Sequence, residues 1–181
     1  MKITAAPLEG LLIIEPKVFG DHRGYFYEVY QQNRYAEYGI PPFVQDNISR
    51  SKRNILRGLH FQFPHAQGKL VWVTRGSVWD VSVDIRVGSP TFGKWFGMTL
   101  SDENHTQLYI PPGFAHGFCV LSDEVDFHYK CTEYYFPDAE RGIIWNDAQL
   151  NIQWPITNPI LSAKDLTLPS FYEIANEKLF T

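Results

Sequence analysis

Cysteine is scarce in this sequence, and positive charge is not in excess. Cys119 and Cys131 are the only cysteines among 181 residues, and each lies in an apolar or strand-like run. Because their spacing does not match that of metal-binding cysteines, two buried free thiols are expected. The formal net charge is -4 at pH 7, so the chain lacks the broad basic surface by which proteins bind nucleic acids or anionic membranes.

Long apolar runs are missing as well. No stretch approaches the roughly 18 apolar residues that a bilayer-spanning helix requires. Residues 1–10 contain no basic segment followed by an apolar run, so neither a secretion signal nor a membrane span is predicted, and a cytoplasmic location is expected. No repeat, low-complexity tract or flexible linker interrupts the 181 residues, which are predicted to form a single domain over residues 1–181.

The chain contains many short segments with the pattern of β-strands. Apolar and polar residues alternate over residues 78–87, which predicts a strand with one buried and one polar face. A second alternating run covers residues 125–135. Residues that favour strands, bounded by turn signals, also predict strands at residues 69–74, 93–100, 107–110 and 118–121.

Helical signals are few. Residues 32–38 have room for one or two turns, and residues 170–179 begin with Ser170 as a cap and Glu173 three positions later. The predicted fold is therefore all-β, a double-sheet jelly roll or small barrel with a few short helices. These lie mainly in a C-terminal segment of about residues 162–181. The mouth of such a barrel is a natural ligand site.

Two short motifs place histidines in this predicted barrel. In residues 56–62 the apolar side chains alternate with His60 and Gln62, which therefore point to one side of a strand. A lone histidine in an apolar run is about as often a core residue as a functional one, so this segment alone does not decide its role. The second motif, with proline, glycine and His116 in P-x-G-x-x-H spacing over residues 111–116, resembles the second half-motif of the cupin superfamily of jelly rolls.

The first cupin half-motif departs from the metal-binding pattern. Metal-binding cupins have an H-x-H sequence followed by a glutamate, whereas this chain has His60-Phe61-Gln62, and the next ionisable residue on a predicted strand is Lys69. An ammonium group repels a divalent cation, so no metal site and no cofactor are predicted. Beside a ketone, such a cation stabilises the enolate that forms when an α-proton is removed. The alternative is a surface lysine at the edge of a sheet.

Inversion of a carbon next to a ketone needs a base on one face and a proton donor on the other. His60 suits the base, and Tyr129 suits the donor if its strand turns it inward, although a packing role for Tyr129 is the alternative.

Tyr135 is six residues further along the same predicted face as Tyr129, roughly 20 Å away. A sugar joined through a diphosphate to a nucleoside spans that length, with the base on Tyr135. Arg23 and Arg57 are candidate diphosphate ligands, although single arginines are often solvated.

Over nearly its whole length the sequence resembles the dTDP-4-dehydrorhamnose 3,5-epimerase family. The resemblance is carried by ordered motifs over residues 21–28, 45–49, 56–62, 67–71, 89–95, 112–118, 129–135, 141–147 and 161–165. It implies that His60 is the base, Tyr129 the acid, Lys69 the oxyanion partner and Asp165 the partner of His60. The family positions that contact the nucleotide sugar fall on Arg23, Glu28, Gln45, Asn47, Arg57, His116, Tyr135, Glu140 and Lys164.

The resemblance also implies a cupin-type jelly roll that uses no metal and forms homodimers by exchanging amino-terminal strands. The implied substrate is a dTDP-linked 4-keto-6-deoxyhexose. The implied reaction converts dTDP-4-dehydro-6-deoxy-D-glucose to dTDP-4-dehydro-L-rhamnose. Close relatives invert carbon 3, carbon 5 or both with the same residues, so an epimerase specific for one carbon stays open. Two other hypotheses are a noncatalytic jelly roll that binds a sugar nucleotide and a metal-dependent cupin oxygenase or isomerase.

Overall fold

The computed structural model describes residues 1–180, in which strands far outnumber helices. Within those residues there are thirteen strands: β1 (Lys2–Ala5), β2 (Leu12–Glu15), β3 (Phe19–Asp21), β4 (Gly24–Phe26), β5 (Gln45–Lys52), β6 (Leu56–Gln62), β7 (Lys69–Arg75), β8 (Ser77–Asp84), β9 (Trp95–Ser101), β10 (Gln107–Ile110), β11 (Phe114–Val120), β12 (Glu124–Cys131) and β13 (Glu140–Gly142). The α-helices are α1 (Gln32–Ala36) and α2 (Phe171–Glu177), and short 3-10 helices form at Pro137–Ala139 and Asp165–Thr167.

The strands form two large antiparallel sheets and one hairpin. The first sheet has the order β1-β2-β10-β7-β12-β5, and the second has the order β13-β6-β11-β8-β9. Strands β3 and β4 pair only with each other among residues 1–180. The predicted double-sheet jelly roll with few short helices is confirmed.

The apolar core between the sheets comes from alternate residues of facing strands. Its members include Val71 and Val73 of β7, Phe118 of β11, and Val125 and Phe127 of β12, all buried. Tyr129 packs against this core from the next inward position of β12. Its predicted inward orientation is therefore confirmed.

The outer face of the second sheet is covered by the C-terminal part of the chain. Leu59 of β6 and Val83 of β8 pack there against Phe171 and Ile174 of α2. The hydroxyl of Ser170 accepts a hydrogen bond from the Glu173 amide, and the Glu173 carboxylate accepts one from the Ser170 amide. The predicted helix with its cap is confirmed over the described residues, while Thr181, the last residue of the predicted C-terminal segment, lies outside them.

The segment around α1 covers part of the outer face of the first sheet. Tyr35 of α1 is buried against Leu70 and Trp72 of β7. Its hydroxyl donates a hydrogen bond of 2.7 Å to the side-chain oxygen of Gln107. Within residues 1–180 no helix has the length and apolar character needed to cross a membrane.

The polar face of β8 differs from the prediction. The strand ends at Asp84, and Asp80, Ser82 and Asp84 are fully buried instead of facing water. The reason is that α2 covers the apolar face of this sheet, so the alternate residues point into the barrel. Burial alone would raise the pKa of Asp84, but hydrogen bonds from Arg86, together with those from neighbouring hydroxyls, outweigh burial and lower it.

Several predicted strand boundaries also shift. Strand β11 begins at Phe114, four residues before the prediction of 118, and β12 ends at Cys131 instead of continuing to residue 135. After Cys131 the chain bends away from the strand. At this point the amide of Gly68 donates a hydrogen bond to the hydroxyl of Thr132, and the amide of Thr132 donates one to the Gly68 carbonyl. The prediction of one continuous strand from 125 to 135 was wrong.

Candidate active site

Strands β6 and β11 bring two histidines together at the interior of the barrel. His60 of β6 lies opposite His116 of β11 in the antiparallel register. The two strands approach closely at Gly58 and Gly117, where a Cβ on Gly58 would lie only 2.6 Å from the Cα of Gly117. Gly58 also has a φ of +118°, a backbone conformation that strongly favours glycine. These glycines therefore set the position of both imidazoles.

His60 is paired with a carboxylate 105 residues away in the sequence. Its Nε2 lies 2.6 Å from Oδ1 of Asp165, at the start of a 3-10 helix. The Ser162 hydroxyl donates a hydrogen bond of 2.9 Å to the other oxygen of Asp165. Burial raises the pKa of Asp165, but the hydrogen bonds from His60 and Ser162 outweigh burial, and the net pKa is lowered. Asp165 is therefore an ionised partner that orients the His60 ring.

Lys69 lies inside the barrel and not at an edge. It begins β7, which is flanked by β10 and β12 in the middle of the first sheet, and it pairs with Cys131 of β12. Burial lowers the pKa of Lys69, and the nearby Cys131, Glu140 and Asp80 oppose that effect without cancelling it. The alternative of a surface lysine at a sheet edge is wrong.

Tyr129 faces the same interior from β12. It lies opposite Asn47 of β5 on one side and Val71 of β7 on the other. Burial is the main cause that raises the pKa of its phenol, so the hydroxyl stays protonated at neutral pH. A protonated phenol is the form that can donate a proton.

Two adjoining cavities meet at these side chains. Their volumes are about 180 and 220 Å³, and His60, Lys69 and Tyr129 line both of them. The first is also lined by Ser49, Arg57, His116, Gly117, Phe118 and Phe127. The second is also lined by Gln45, Asn47, Phe61, Gln62, Gln67, Cys131, Tyr135 and Glu140. The candidate acid, base and cation therefore share one space, as the sequence predicted.

Tyr135 lies nearer to Tyr129 than the sequence predicted. Because β12 ends at Cys131 and the chain turns, Tyr135 lines the same cavity as Tyr129, and the straight spacing of roughly 20 Å along one strand does not exist. Tyr135 keeps about half of its surface exposed. An aromatic ring at the mouth of a cavity is still suited to stacking on a flat ligand.

A carboxylate holds the Tyr135 phenol in place. The hydroxyl of Tyr135 donates a hydrogen bond of 2.6 Å to Oε2 of Glu140, and Nζ of Lys164 lies 2.5 Å from the same oxygen. The hydrogen bond to Glu140 is the main cause that raises the pKa of Tyr135 to about 12. Burial raises the pKa of Glu140, but Lys164 and Tyr135 outweigh burial and lower it. Three predicted substrate contacts thus form one cluster.

Strand β5 adds two amide side chains to the second cavity. Oε1 of Gln45 accepts a hydrogen bond of 2.9 Å from the backbone amide of Tyr135, and its Nε2 donates to Oδ1 of Asn47 at 3.1 Å. In the first cavity, Nε of Arg57 donates to the hydroxyl of Ser51 at 3.0 Å. A ligand in the second cavity would therefore contact Gln45 and Asn47, and a ligand in the first cavity would contact Arg57.

Known proteins share much of this sequence and its arrangement of strands. A family model described as dTDP-4-dehydrorhamnose 3,5-epimerase matches residues 5–173. The dTDP-4-dehydrorhamnose 3,5-epimerase of Shigella flexneri is 53% identical over 176 residues, which are 96% of this chain and 97% of that protein. The chain belongs to the dTDP-4-dehydrorhamnose 3,5-epimerase family. The family predicted from the sequence motifs is thus confirmed.

Solved structures of family members agree closely with the fold. The dTDP-6-deoxy-D-glucose-3,5-epimerase of Legionella pneumophila Philadelphia 1, solved in complex with dTDP-4-keto-L-rhamnose, has a TM-score of 0.95 and 53% identity, covering 99% of this chain and 97% of that one. The dTDP-4-dehydrorhamnose 3,5-epimerase of Bacillus anthracis str. Ames, solved with TDP and PPi bound, has a TM-score of 0.91 and 47% identity, covering 93% and 98%.

Two of the contacts expected in this family lie away from the cavities. Arg23 is in the β3–β4 hairpin, where it forms an exposed ion pair of 2.5 Å with Asp21. Glu28 pairs with Arg34 at 2.7 Å. Neither residue lines the cavities around His60. A single copy of the chain therefore does not bring Arg23 and Glu28 to the site.

The structure adds Asp80, which the sequence analysis missed, and gives contacts to Gln62, which the sequence analysis placed beside His60 without a role. Nε2 of His116 lies 2.8 Å from Oδ2 of Asp80, which makes a second histidine–carboxylate pair beside the first. Gln62 lines the second cavity and bonds to the backbone near Tyr135. No signal in the sequence indicated the Asp80 pair, because the polar face of β8 was predicted to meet water, where a carboxylate needs no protein partner.

One of the two cysteines lies at the site. Cys119 and Cys131 are both buried and free, as expected. Burial raises the pKa of Cys119 to about 12 and also raises that of Cys131, which lines the second cavity. Among residues 1–180, no group of three or more histidine, cysteine, aspartate or glutamate side chains is arranged to hold a metal ion.

Proposed function

We propose that the chain is a dTDP-4-dehydrorhamnose 3,5-epimerase that converts dTDP-4-dehydro-6-deoxy-D-glucose to dTDP-4-dehydro-L-rhamnose. The observation that carries this proposal is the cavity in which His60, Lys69 and Tyr129 meet, with Asp165 bonded to His60. An isomerase of this kind moves protons at the carbons on either side of the ketone. Its steps need only groups that this chain supplies.

His60 is the base in this mechanism. Since Asp165 is bonded at Nε2, it favours the tautomer that carries the proton there, and Nδ1 keeps the lone pair that accepts a proton from carbon. The electron pair of the broken C–H bond forms the carbon–carbon double bond of an enolate. Asp165 then stabilises the imidazolium that His60 becomes.

Lys69 stabilises the enolate oxygen. The negative charge that develops on the former ketone oxygen is met by a preorganised ammonium group inside the barrel, where the attraction is stronger than in bulk water. The ketone has no such charge in the ground state, so Lys69 acts mainly on the transition state.

Tyr129 donates a proton to the opposite face of the carbon. Its phenol is protonated because burial raises its pKa, and it lines the same cavity as His60 from a different sheet. A proton delivered from that side inverts the stereocentre. Solvent then returns a proton to the Tyr129 phenolate and takes the proton held by His60, which resets both groups. The same sequence of steps at the second carbon completes the reaction.

The second cavity holds the nucleotide in this proposal. The thymine stacks on Tyr135, whose phenol is fixed by Glu140 and Lys164. Gln45 and Asn47 line the same cavity and offer amide groups to the ligand. Arg57 and His116, which line the first cavity, contact the sugar or its phosphates.

A homodimer completes the site. The β3–β4 hairpin presents Arg23 next to the exposed rings of Phe19, Tyr25 and Phe26. Exposed aromatic residues beside an exposed guanidinium, here paired with Asp21 of the same hairpin, suit insertion into a second copy of the chain. We infer that exchange of the amino-terminal strands carries Arg23 and Glu28 to the partner's cavity, where Arg23 contacts the diphosphate. The enzyme is expected in the cytoplasm.

Deuterium exchange tests the proposed reaction. Incubation of the protein with the dTDP-linked 4-keto sugar in deuterated water should place label at both carbons flanking the ketone, with formation of the L-rhamno product. Label at one carbon only would favour the sibling hypothesis of a single-site epimerase. The absence of label at either carbon, with dTDP still bound, would favour the noncatalytic jelly roll. Stoichiometric iron, manganese or zinc in the purified protein would favour a metal-dependent cupin.

A further inference from the structure

Gln62 is a buried residue of the site to which the proposed mechanism gives no role. It lies two positions after His60 on β6, it is 4% exposed and it lines the second cavity. Its position matches the second histidine of the metal-binding cupin motif. Here a neutral amide, which both donates and accepts hydrogen bonds, stands in its place.

The amide of Gln62 is fully engaged by backbone groups of the turn that follows β12 and of the loop between β6 and β7. Its Nε2 donates hydrogen bonds to the backbone carbonyl oxygens of Tyr134, at 3.0 Å, and His65. Its Oε1 accepts a hydrogen bond of 2.8 Å from the backbone amide of Phe136. Gln62 therefore bonds to the peptide groups on both sides of Tyr135.

The backbone of Tyr135 itself is bonded to a second glutamine. Its amide donates a hydrogen bond of 2.9 Å to Oε1 of Gln45. The ring of Tyr135 is about half exposed, so packing alone does not fix its direction. The position of this ring depends on the backbone that Gln62 and Gln45 hold, and on the bond from its hydroxyl to Glu140.

We propose that Gln62 is a positioning residue that fixes Tyr135 in the orientation that stacks on the nucleotide base. The inference rests on the proposed function, because it takes Tyr135 as the stacking residue. A loop that is ordered before binding loses less conformational entropy when the ligand arrives, so it binds more tightly. Without Gln62, the turn at residues 134–136 must be ordered by the ligand, and affinity falls.

Only a side chain with a donor and an acceptor at its tip can make all three bonds. Glutamate keeps the bond from the Phe136 amide but places a carboxylate oxygen against the carbonyl oxygens of Tyr134 and His65, which is repulsive. Methionine has a similar length and makes none of these bonds. The two variants therefore weaken the same turn for different reasons, and agreement between them separates positioning from a change of charge.

Titration calorimetry with dTDP tests the inference on the full-length protein. Gln62→Glu and Gln62→Met should each raise the Kd for dTDP by about tenfold. Deuterium exchange at saturating substrate should fall by a much smaller factor than affinity, because His60, Lys69 and Tyr129 keep their side chains. Gln153→Glu is the matched control, since its exposed amide also donates to a backbone carbonyl, that of Asn151 at 2.9 Å, and its Kd should not change.

A double-mutant cycle with Tyr135→Ala separates this inference from the proposed function. If Gln62 acts through Tyr135, adding Gln62→Met to Tyr135→Ala should cause no further loss of dTDP affinity. Additive losses would overturn the inference, and so would unchanged affinity in both Gln62 variants when Tyr135→Ala alone weakens binding. Full dTDP affinity in Tyr135→Ala would instead overturn the stacking role in the proposed function.

Thermal unfolding of every variant shows whether lost affinity reflects lost folding, because a merely structural role lowers Tm and leaves Kd unchanged in the folded protein.

Discussion

The two histidine–carboxylate pairs on neighbouring strands have nearly the same geometry but different surroundings. The nitrogen–oxygen distance is 2.6 Å in the His60–Asp165 pair and 2.8 Å in the His116–Asp80 pair. The side chain of His60 is 28% exposed, whereas that of His116 is 8% exposed. The pair at the mouth can exchange protons with solvent, while the inner pair is enclosed.

The two carboxylates also differ in how many of their oxygens are hydrogen-bonded. Asp165 has hydrogen-bond partners at both oxygens, from His60 and Ser162. Among residues 1–180, Oδ1 of the fully buried Asp80 has no hydrogen-bond partner. The comparison teaches that a histidine–carboxylate pair does not by itself make a base. In the proposed mechanism the pair that supplies the base has access to solvent and a carboxylate with both oxygens hydrogen-bonded, whereas the other pair contacts the ligand and moves no proton.

The largest difference in activity between the two pairs is expected when each histidine is replaced by alanine. His60→Ala is expected to lower the rate of deuterium exchange by about 10²- to 10⁴-fold, because the base is lost. His116→Ala should lower the rate at saturating substrate by about tenfold or less and act mainly on KM, because it removes a binding contact. The measurement is label incorporation over a range of substrate concentrations. Equal losses in the two variants would contradict the assignment of His60 alone as base.

The next largest difference in turnover is expected when each aspartate is replaced by asparagine. Asp165→Asn should lower turnover by about 10²-fold or more, because the amide favours the wrong tautomer of His60 and does not stabilise its cation. Asp80→Asn should lower turnover by about tenfold or less, since His116 moves no proton in the proposed mechanism. Turnover is measured under saturating substrate, with dTDP affinity as the control for folding. A larger loss from Asp80→Asn would reverse the roles of the pairs.

The free energy of unfolding should depend more on His116 than on His60, which is the reverse of the order expected for turnover. His116 is enclosed and lies parallel to Phe127 at 6.1 Å between ring centres, so His116→Ala is expected to cost about 2 kcal/mol. His60→Ala should cost about 1 kcal/mol or less, because its ring is partly in water. Denaturant unfolding of both variants checks this ranking. A greater loss from His60→Ala would contradict it.

The smallest effect concerns acid stability. The pKa of Asp165 is lower in the folded protein than its usual value, so its carboxylate stabilises the fold above that usual value. This stabilisation is lost as the pH falls through the lowered pKa. Wild type should therefore lose its advantage over Asp165→Asn as the pH is lowered from neutrality into the acid range. Unfolding curves at several pH values measure the difference, and a difference that does not change with pH would contradict it.

Local patterns in the sequence predicted the barrel well. Strands β6 and β10 have the predicted bounds, and the inward face of β12 follows its alternation up to Cys131. The alternation predicted the structure wrongly where contacts between residues far apart in the sequence determine burial or the end of a strand. The polar face of β8 is buried because the distant helix α2 covers the other face, and the end of β12 is fixed by a bond to Gly68.

The candidate site was predictable only in part for the same reason. His60, Lys69 and Tyr129 follow from motif and strand direction, whereas Asp165 came only from the family resemblance, since no local pattern links it to a histidine 105 residues away. The bonds of Gln62 and Asp80 depend on how separate strands meet. Such contacts exist only in three dimensions, so a sequence pattern cannot reveal them.

The central claim is that His60 and Tyr129 act on opposite faces of the substrate in one cavity. The most direct test is Tyr129→Phe with the 4-keto sugar in deuterated water. The account predicts that His60 still exchanges the proton on its own face, so label enters the substrate while the configuration is retained and almost no inverted product forms. Inversion at the wild-type rate, or no exchange while dTDP still binds, would contradict the account.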